Sequence, residues 1–258
     1  MFAKKTLVAA AALLAVAGAA QAQSSVKLYG YIEASVGSFE DFNFGTMTTD
    51  RATKVESGNM MTSFIGLSGS EDLGGGLKAN FVLEAALAVD TGATKDRFFD
   101  RAAWVGVSGG FGELRLGRQD TSIGLLAGNS SILGAQGYDE LKIAKTFSGD
   151  GYRRTDNAIT YILPKFVDGL SAQVQYSTQA SGAENTDKLG SHYGLNVQYA
   201  ASGFSAGLGY IQAKKTNTVD DTGLLAYLGY DFGVVKLTGY LEQDNTDGMA
   251  EKHQLMGA

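Results

Sequence analysis

Residues 192–199 read His-Tyr-Gly-Leu-Asn-Val-Gln-Tyr, a stretch in which polar or small side chains alternate with apolar ones. Successive side chains of a β-strand point to opposite faces of its sheet. The stretch therefore predicts a strand with one apolar and one polar face. Its apolar face carries Tyr193, Leu195, Val197 and Tyr199.

The same alternation recurs along most of the chain, as in residues 26–36, 77–87 and 170–177. We expect about eleven strands, with a twelfth beginning near Glu251. The eleven start near residues 25, 60, 76, 98, 113, 156, 169, 190, 204, 222 and 234. The pattern predicts an all-β fold with an antiparallel sheet.

Alternation alone fits two architectures. A soluble β-sandwich buries its apolar faces between two sheets, whereas a transmembrane β-barrel turns them to the lipid. Three features favour the barrel: small and mixed apolar faces, aromatic residues near strand ends, and short turns that alternate with long polar segments. The short turns are residues 71–76, 108–112, 165–169, 201–203 and 231–233. The long segments are residues 38–59, 120–154, 179–189 and 217–221.

The amino-acid composition excludes several classes of function. Glycine accounts for 35 of 258 residues and proline for 1, which suits a large sheet with tight turns. The 27 acidic residues outnumber the 21 basic ones, and the formal net charge of -6 argues against a nucleic-acid partner. The absence of cysteine excludes disulfides and thiolate sites.

Residues 1–22 predict a secretory signal peptide. Lys4 and Lys5 precede an apolar run that ends at the small-residue cleavage site, residues 20–22, so the mature chain is expected to start at Gln23. The alternative, a membrane-anchoring helix, would need a longer apolar run of about 20 residues.

The sequence offers no arrangement that predicts an enzyme. His192 and His253 are the only histidines, and neither stands beside a nucleophile in a recognisable pattern. Metal-ligand spacing is absent, so we predict no catalytic residue, no metal and no cofactor.

Four segments, in order, resemble the general trimeric porins of Gram-negative outer membranes. They are SSVKLYG (24–30), GSEDLGGGLKA (69–79), FDRAAWVGVS (99–108) and RTDNAITY (154–161). The resemblance implies a sixteen-stranded barrel, a homotrimer, an outer-membrane location, and passive diffusion of ions and small hydrophilic solutes through a water-filled pore. It implies that residues 23–258 form the barrel and lack its last strands, about four in number. A substrate-specific channel and an exported β-sandwich adhesin or lectin are the alternatives.

In this family the third outer loop folds into the barrel and forms the pore constriction. The matching segment, residues 120–154, is long for a connection, as functional loops often are. Asp139 and Glu140 are its candidate acidic face, and a solvated acidic turn is the alternative for both.

The resemblance also assigns the opposite wall. Arg101 and Arg154 align with wall arginines of the family, whereas Phe64 stands where a third arginine would fall. The missing arginine leaves less positive charge on this wall of the constriction, so we do not expect the pore to prefer anions strongly. Arg118 and Arg153 are candidate substitutes, and a surface or subunit-contact role is the alternative for each.

Alternation along the strands assigns the two aligned arginines to different faces. Arg154 shares the polar face with Asp156, Ala158 and Thr160. Arg101 instead falls in the row of Ala103, Val105 and Val107. Either the pleat is broken near Arg101, or the wall there faces a neighbouring subunit.

Overall fold

The computed structural model describes residues 25–43, 48–94, 97–130, 153–178, 191–214, 220–246 and 253–257. It contains one helix in that part of the chain, α1 (Ser122–Ser130). The strands are β1 (Ser25–Tyr31), β2 (Ser35–Asn43), β3 (Thr48–Glu56), β4 (Phe64–Gly74), β5 (Leu77–Ala88), β6 (Ala93–Thr94), β7 (Ala102–Gly109), β8 (Gly112–Asp120), β9 (Arg154–Ile162), β10 (Leu170–Ser177), β11 (His192–Ala201), β12 (Phe204–Lys214), β13 (Asp220–Asp231), β14 (Lys236–Thr246) and β15 (His253–Gly257).

Most strands join one sheet in the order β1-β4-β5-β7-β8-β9-β10-β11-β12-β13-β14-β15. Neighbours in this path are antiparallel. Each strand pairs with the next one along the chain, except that β1 is followed by β4 and β5 by β7. β6 pairs with β5 beside the path, and β2 and β3 form a separate hairpin. The path confirms the predicted antiparallel all-β fold, including eleven strands and the beginning of a twelfth.

Tight turns and long connections lie at opposite ends of the sheet, as predicted. At the end that we call the turn end, Ser202 and Gly203 join β11 to β12. Their φ angles of 51° and 82° are those that a two-residue hairpin with the right-handed twist requires. At the opposite end, the loop end, longer segments follow β1, β5 and β8.

β11 shows how the two faces of the sheet differ. Tyr193 and Val197 keep 64% and 45% of their surface exposed, whereas His192 and Asn196 keep 1% and 2%. A water-soluble protein shows the reverse pattern, because its apolar side chains are the buried ones. Exposed apolar rows and buried polar rows are typical of a membrane barrel and do not fit a β-sandwich.

α1 lies on the polar face of β10–β13, which we call the inner face. Thr121 caps the helix, since its Oγ1 accepts a hydrogen bond from Gly124 N at 2.9 Å. Ile123 and Leu126 are fully buried against the sheet. The sheet residues of this apolar cluster are Ile211, Leu225 and Tyr227.

Two inner-face glycines allow the helix to approach. A Cβ placed at Gly207 or Gly209 would lie 2.5 Å and 2.7 Å, respectively, from the Leu126 side chain. Atoms do not pack that closely, so glycine at both positions makes room for Leu126.

Among the residues that the structure describes, no helix has the length and apolar character needed to cross a membrane.

Two segments differ from the sequence-based expectation. The predicted strand 26–36 is interrupted, because β1 stops pairing at Tyr31 and β2 turns away to pair with β3. The segment 38–59, predicted as a connection, therefore contains most of a hairpin. The segment 120–154 is not a structureless connection either, since it begins with α1.

Candidate functional site

Charged side chains meet at the loop end of β5, β8 and β9, and we call this group the charge cluster. Antiparallel pairing brings the ends of these strands together with the segment that precedes β7. The members are Glu84, Arg97, Asp100, Arg101, Arg118, Asp120, Arg154 and Asp156.

The Asp156 carboxylate accepts hydrogen bonds from two guanidinium groups. Arg118 Nη1 donates to Asp156 Oδ1 at 2.6 Å, and Arg97 Nη1 donates to the other carboxylate oxygen. Arg118 Nε also donates to the Asp100 carbonyl oxygen at 2.6 Å. The Arg118 and Asp156 side chains are largely buried, so both of these charges depend on their partners.

Arg154 forms an ion pair with Asp120, the last residue of β8. Arg154 Nε lies 3.2 Å from Asp120 Oδ1, and the two residues face each other across the β8–β9 pair. Opposite charges directly across an antiparallel pair stabilise it. The predicted wall arginine is thus placed at the start of β9 by an ion pair with the end of β8.

Arg101 lies against the inner wall. Its Nε is 3.3 Å from Glu84 Oε2, and its guanidinium carbon lies 4.2 Å from the centre of the Phe64 ring. Two of the three aligned positions, Arg101 and Phe64, are therefore in direct contact.

The structure explains the parity of Arg101. β7 begins at Ala102, so Arg101 stands in the bend before the strand and its side chain does not follow the outward row of Val105 and Val107. Its backbone N–H donates to the Glu84 carbonyl oxygen at 3.2 Å. The broken pleat is thus the alternative that the structure supports.

Regular alternation along β9 does not determine which face of the sheet Arg154 lies on. The register between β8 and β9 shifts after Gly117, and Asn157 adopts a φ of 52°. Such a bulge interrupts the regular alternation, so counting from Ala158 and Thr160 does not fix the side on which Arg154 lies.

A second arginine arrangement lies on the inner face nearer the turn end. Arg115 Nη2 donates to Glu113 Oε2 at 2.8 Å, and the Arg115 guanidinium lies 4.2 Å from the Trp104 ring. Asn80 donates to Ser108 Oγ at 2.9 Å beside this group. Sequence reasoning did not single out these residues.

The inner face under α1 carries neutral polar groups. Gln175 Nε2 donates to Thr160 Oγ1 at 2.9 Å and to the Asp120 carbonyl oxygen at 3.0 Å. His192 Nε2 lies 3.3 Å from Gln175 Oε1. This network places His192 in a buried hydrogen-bonded wall.

The structure describes only some of the remaining predicted residues. Asp139 and Glu140 lie outside the described residues, as does the segment 1–22. The Arg153 carbonyl oxygen accepts a hydrogen bond from Thr121 N at 3.0 Å, which joins the two ends of the segment that contains α1.

Sequence reasoning missed several acidic partners. Glu84 was visible as a polar residue in the alternating stretch 77–87, and Asp120 as the residue that opens the long segment. Their pairing with particular arginines was not visible, because Glu84–Arg101 and Asp120–Arg154 join different elements and depend on the register between neighbouring strands.

Comparison with known proteins identifies the family. The family model of the Gram-negative porins matches residues 9–258. The chain belongs to this family. It is accordingly an outer-membrane protein, as its named relatives are.

Two curated relatives of this porin are similar over most of its length. Outer membrane porin protein 32 of Delftia acidovorans is 35% identical over 93% of this chain and 69% of its own. An outer membrane porin protein of Bordetella pertussis is 34% identical over 91% of this chain and 68% of its own.

Solved porin structures share the fold. The anion-selective porin from Comamonas acidovorans superposes with a TM-score of 0.73 at 29% identity, covering 90% of this porin and 71% of that chain. OmpF of Salmonella typhi superposes with a TM-score of 0.60 at 19% identity, covering 85% of this porin and 66% of that chain, and supports the fold alone.

Proposed function

We propose that this porin forms a water-filled pore through which ions and small hydrophilic solutes diffuse passively across the outer membrane. The observation that carries the proposal is the arrangement of the sheet, with apolar rows exposed outside and hydrogen-bonded polar rows inside. A polar interior can hold water, whereas an apolar interior would have to be filled by side chains.

The charge cluster is proposed to set the electric field in the pore. Arg101 and Glu84 lie on the inner wall, and Arg154 and Asp120 lie close enough to Arg101 to interact with it. Charges on the walls of a narrow lumen act through little water, so their field on a passing ion is strong.

We further propose weak rather than strong anion selectivity. Each of Arg97, Arg101, Arg118 and Arg154 contacts a carboxylate. Phe64 also supplies no positive charge where the family resemblance expects an arginine. The relative from Comamonas acidovorans is described as anion-selective, and we expect a smaller preference here.

Three finer features belong to the same proposal. Residues 1–22 would be the cleaved signal peptide, and residues 120–154 would form the constriction, with Asp139 and Glu140 on its acidic side. α1 supports the second feature, because it opens this segment and packs on the inner face. The assembly would be a homotrimer, as the family resemblance implies.

The test is ion conduction by the full chain in planar bilayers that separate two KCl concentrations. We expect stable single-channel steps, and Arg154→Glu should shift the reversal potential toward cation selectivity because it reverses one wall charge. Arg51→Glu is the control, since Arg51 is well exposed in the β2–β3 hairpin and pairs with Glu40. Absence of channel steps would contradict the function, and an unchanged reversal potential in Arg154→Glu would remove Arg154 from the pore.

A further inference from the structure

Four side chains on the inner face of β1, β4, β5 and the bend before β7 form a closed ring of contacts. Tyr29 OH donates to Glu84 Oε1 at 2.7 Å, and Arg101 Nε lies 3.3 Å from Glu84 Oε2. The Arg101 guanidinium covers the Phe64 ring, and the Phe64 and Tyr29 rings meet edge to face with their centres 6.0 Å apart. Each member of the ring thus contacts two others.

The strand register supports this ring. Tyr29, Gly66 and Glu84 face one another in a row across β1, β4 and β5. A Cβ at Gly66 would lie 2.5 Å from the Tyr29 ring, so a larger residue there would displace the ring. Glycine at position 66 allows Tyr29 to lie across β4 and reach the carboxylate of Glu84.

We propose that Tyr29, Phe64 and Glu84 act as a clamp that holds the Arg101 guanidinium flat against the wall, which makes Glu84 a selectivity-determining residue of the pore. The inference rests on the proposed channel function. An arginine side chain is long and flexible, and a free one would extend its charge into the lumen. The clamp keeps that charge beside a carboxylate, which reduces the positive field on a passing ion.

The first test removes the carboxylate. Glu84→Gln in the full chain should shift the reversal potential in a KCl gradient toward anion selectivity, because it removes a negative charge and also releases Arg101. Glu113→Gln is the matched control, since Glu113 also pairs with an arginine that covers an aromatic ring but lies nearer the turn end, outside the charge cluster. We expect the Glu84→Gln shift to be roughly twofold larger than the control shift. Equal shifts, or a larger shift in the control, would overturn the inference.

The second test changes no formal charge. Tyr29→Phe removes the hydrogen bond to Glu84, and Phe64→Leu removes the ring that contacts Arg101 and Tyr29. Each change should therefore lower single-channel conductance and shift selectivity toward anions. Both effects should disappear when they are combined with Arg101→Gln, because the residue that they release is then absent. The inference fails if both variants behave as the unmodified chain, or if their effects are unchanged in the Arg101→Gln background.

The two levels of proposal fail in different ways. If the unmodified chain forms no ion-conducting pore, the proposed function itself is wrong. If the pore conducts and Arg154→Glu alters its selectivity, but the clamp variants show no dependence on Arg101, only the clamp is wrong. Circular dichroism of each variant establishes that the strands have formed before conductance is compared.

Discussion

The inner face of this porin has two sides that handle polar groups differently. On β4–β9, arginines and carboxylates are paired with one another, as in Arg101 with Glu84 and Arg115 with Glu113. On β10–β12 the inner groups are neutral, and α1 covers them through an apolar contact and hydrogen bonds to Ser122. The helix therefore lies over the neutral side.

This difference has a physical reason. Burying a neutral polar group costs little once the group has a hydrogen-bond partner, whereas burying a charge requires a well-placed opposite charge. A helix can thus cover Gln173, Gln175 and Asn196 at low cost. On the charged side, each buried arginine is instead offset by a nearby carboxylate, as Arg118 is by Asp156.

The largest expected effect comes from the apolar contact that holds the helix on the neutral side. Leu126→Ala should lower the free energy of unfolding by about 2–5 kcal/mol, because Leu126 is fully buried and its removal leaves a cavity. Urea unfolding in detergent micelles, followed by the fluorescence of Trp104, measures it. Leu125→Ala is the control on the exposed side of the same helix, where a change of at most about 0.5 kcal/mol is expected. Equal losses in the two variants would contradict the placement of the helix.

A smaller effect is expected on the charged side. Asp156→Asn removes the carboxylate shared by Arg97 and Arg118, and we expect a loss of about 1–3 kcal/mol in the free energy of unfolding. The same urea titration measures it. Asp72→Asn is the control, since Asp72 accepts only a local hydrogen bond from Gly74 N at an exposed turn and asparagine can accept the same bond. A loss at position 72 as large as that at position 156 would show that the cluster adds nothing specific.

The smallest effect concerns a single neutral hydrogen bond. Asn196 Nδ2 donates to the Ser122 carbonyl oxygen at 2.5 Å, and Asn196→Ala should lower the free energy of unfolding by about 0.5–1.5 kcal/mol. Ser171→Ala on the neighbouring strand is the control, because Ser171 is exposed and should tolerate the change. If Asn196→Ala destabilised the porin more than Asp156→Asn, the expected order of the polar contacts on the two sides would be reversed.

The sequence predicted the fold well because the signals for it are local. Alternation along residues 192–199 and turn residues such as Ser202 and Gly203 act within a few positions, so strands, faces and short turns could be located without knowledge of their partners. The β2–β3 hairpin was missed, because its strands are polar and occupy a segment that is as long as a loop.

The site was predicted only in part. Arg101, Arg154 and Phe64 were found through the family resemblance, and the structure places Arg101 on Phe64 and Arg154 beside Asp120. The partners Glu84 and Asp156 were not predicted, and the bulge at Asn157 broke the alternation used to orient Arg154.

The sequence by itself determined which side chains share a face of each strand, since that depends only on a period of two along the chain. The tertiary structure alone decided which arginine meets which carboxylate and where α1 lies. Those contacts join residues far apart in sequence, as Asn196 and Ser122 are at 74 positions, and they depend on strand register and a bulge that no local pattern specifies.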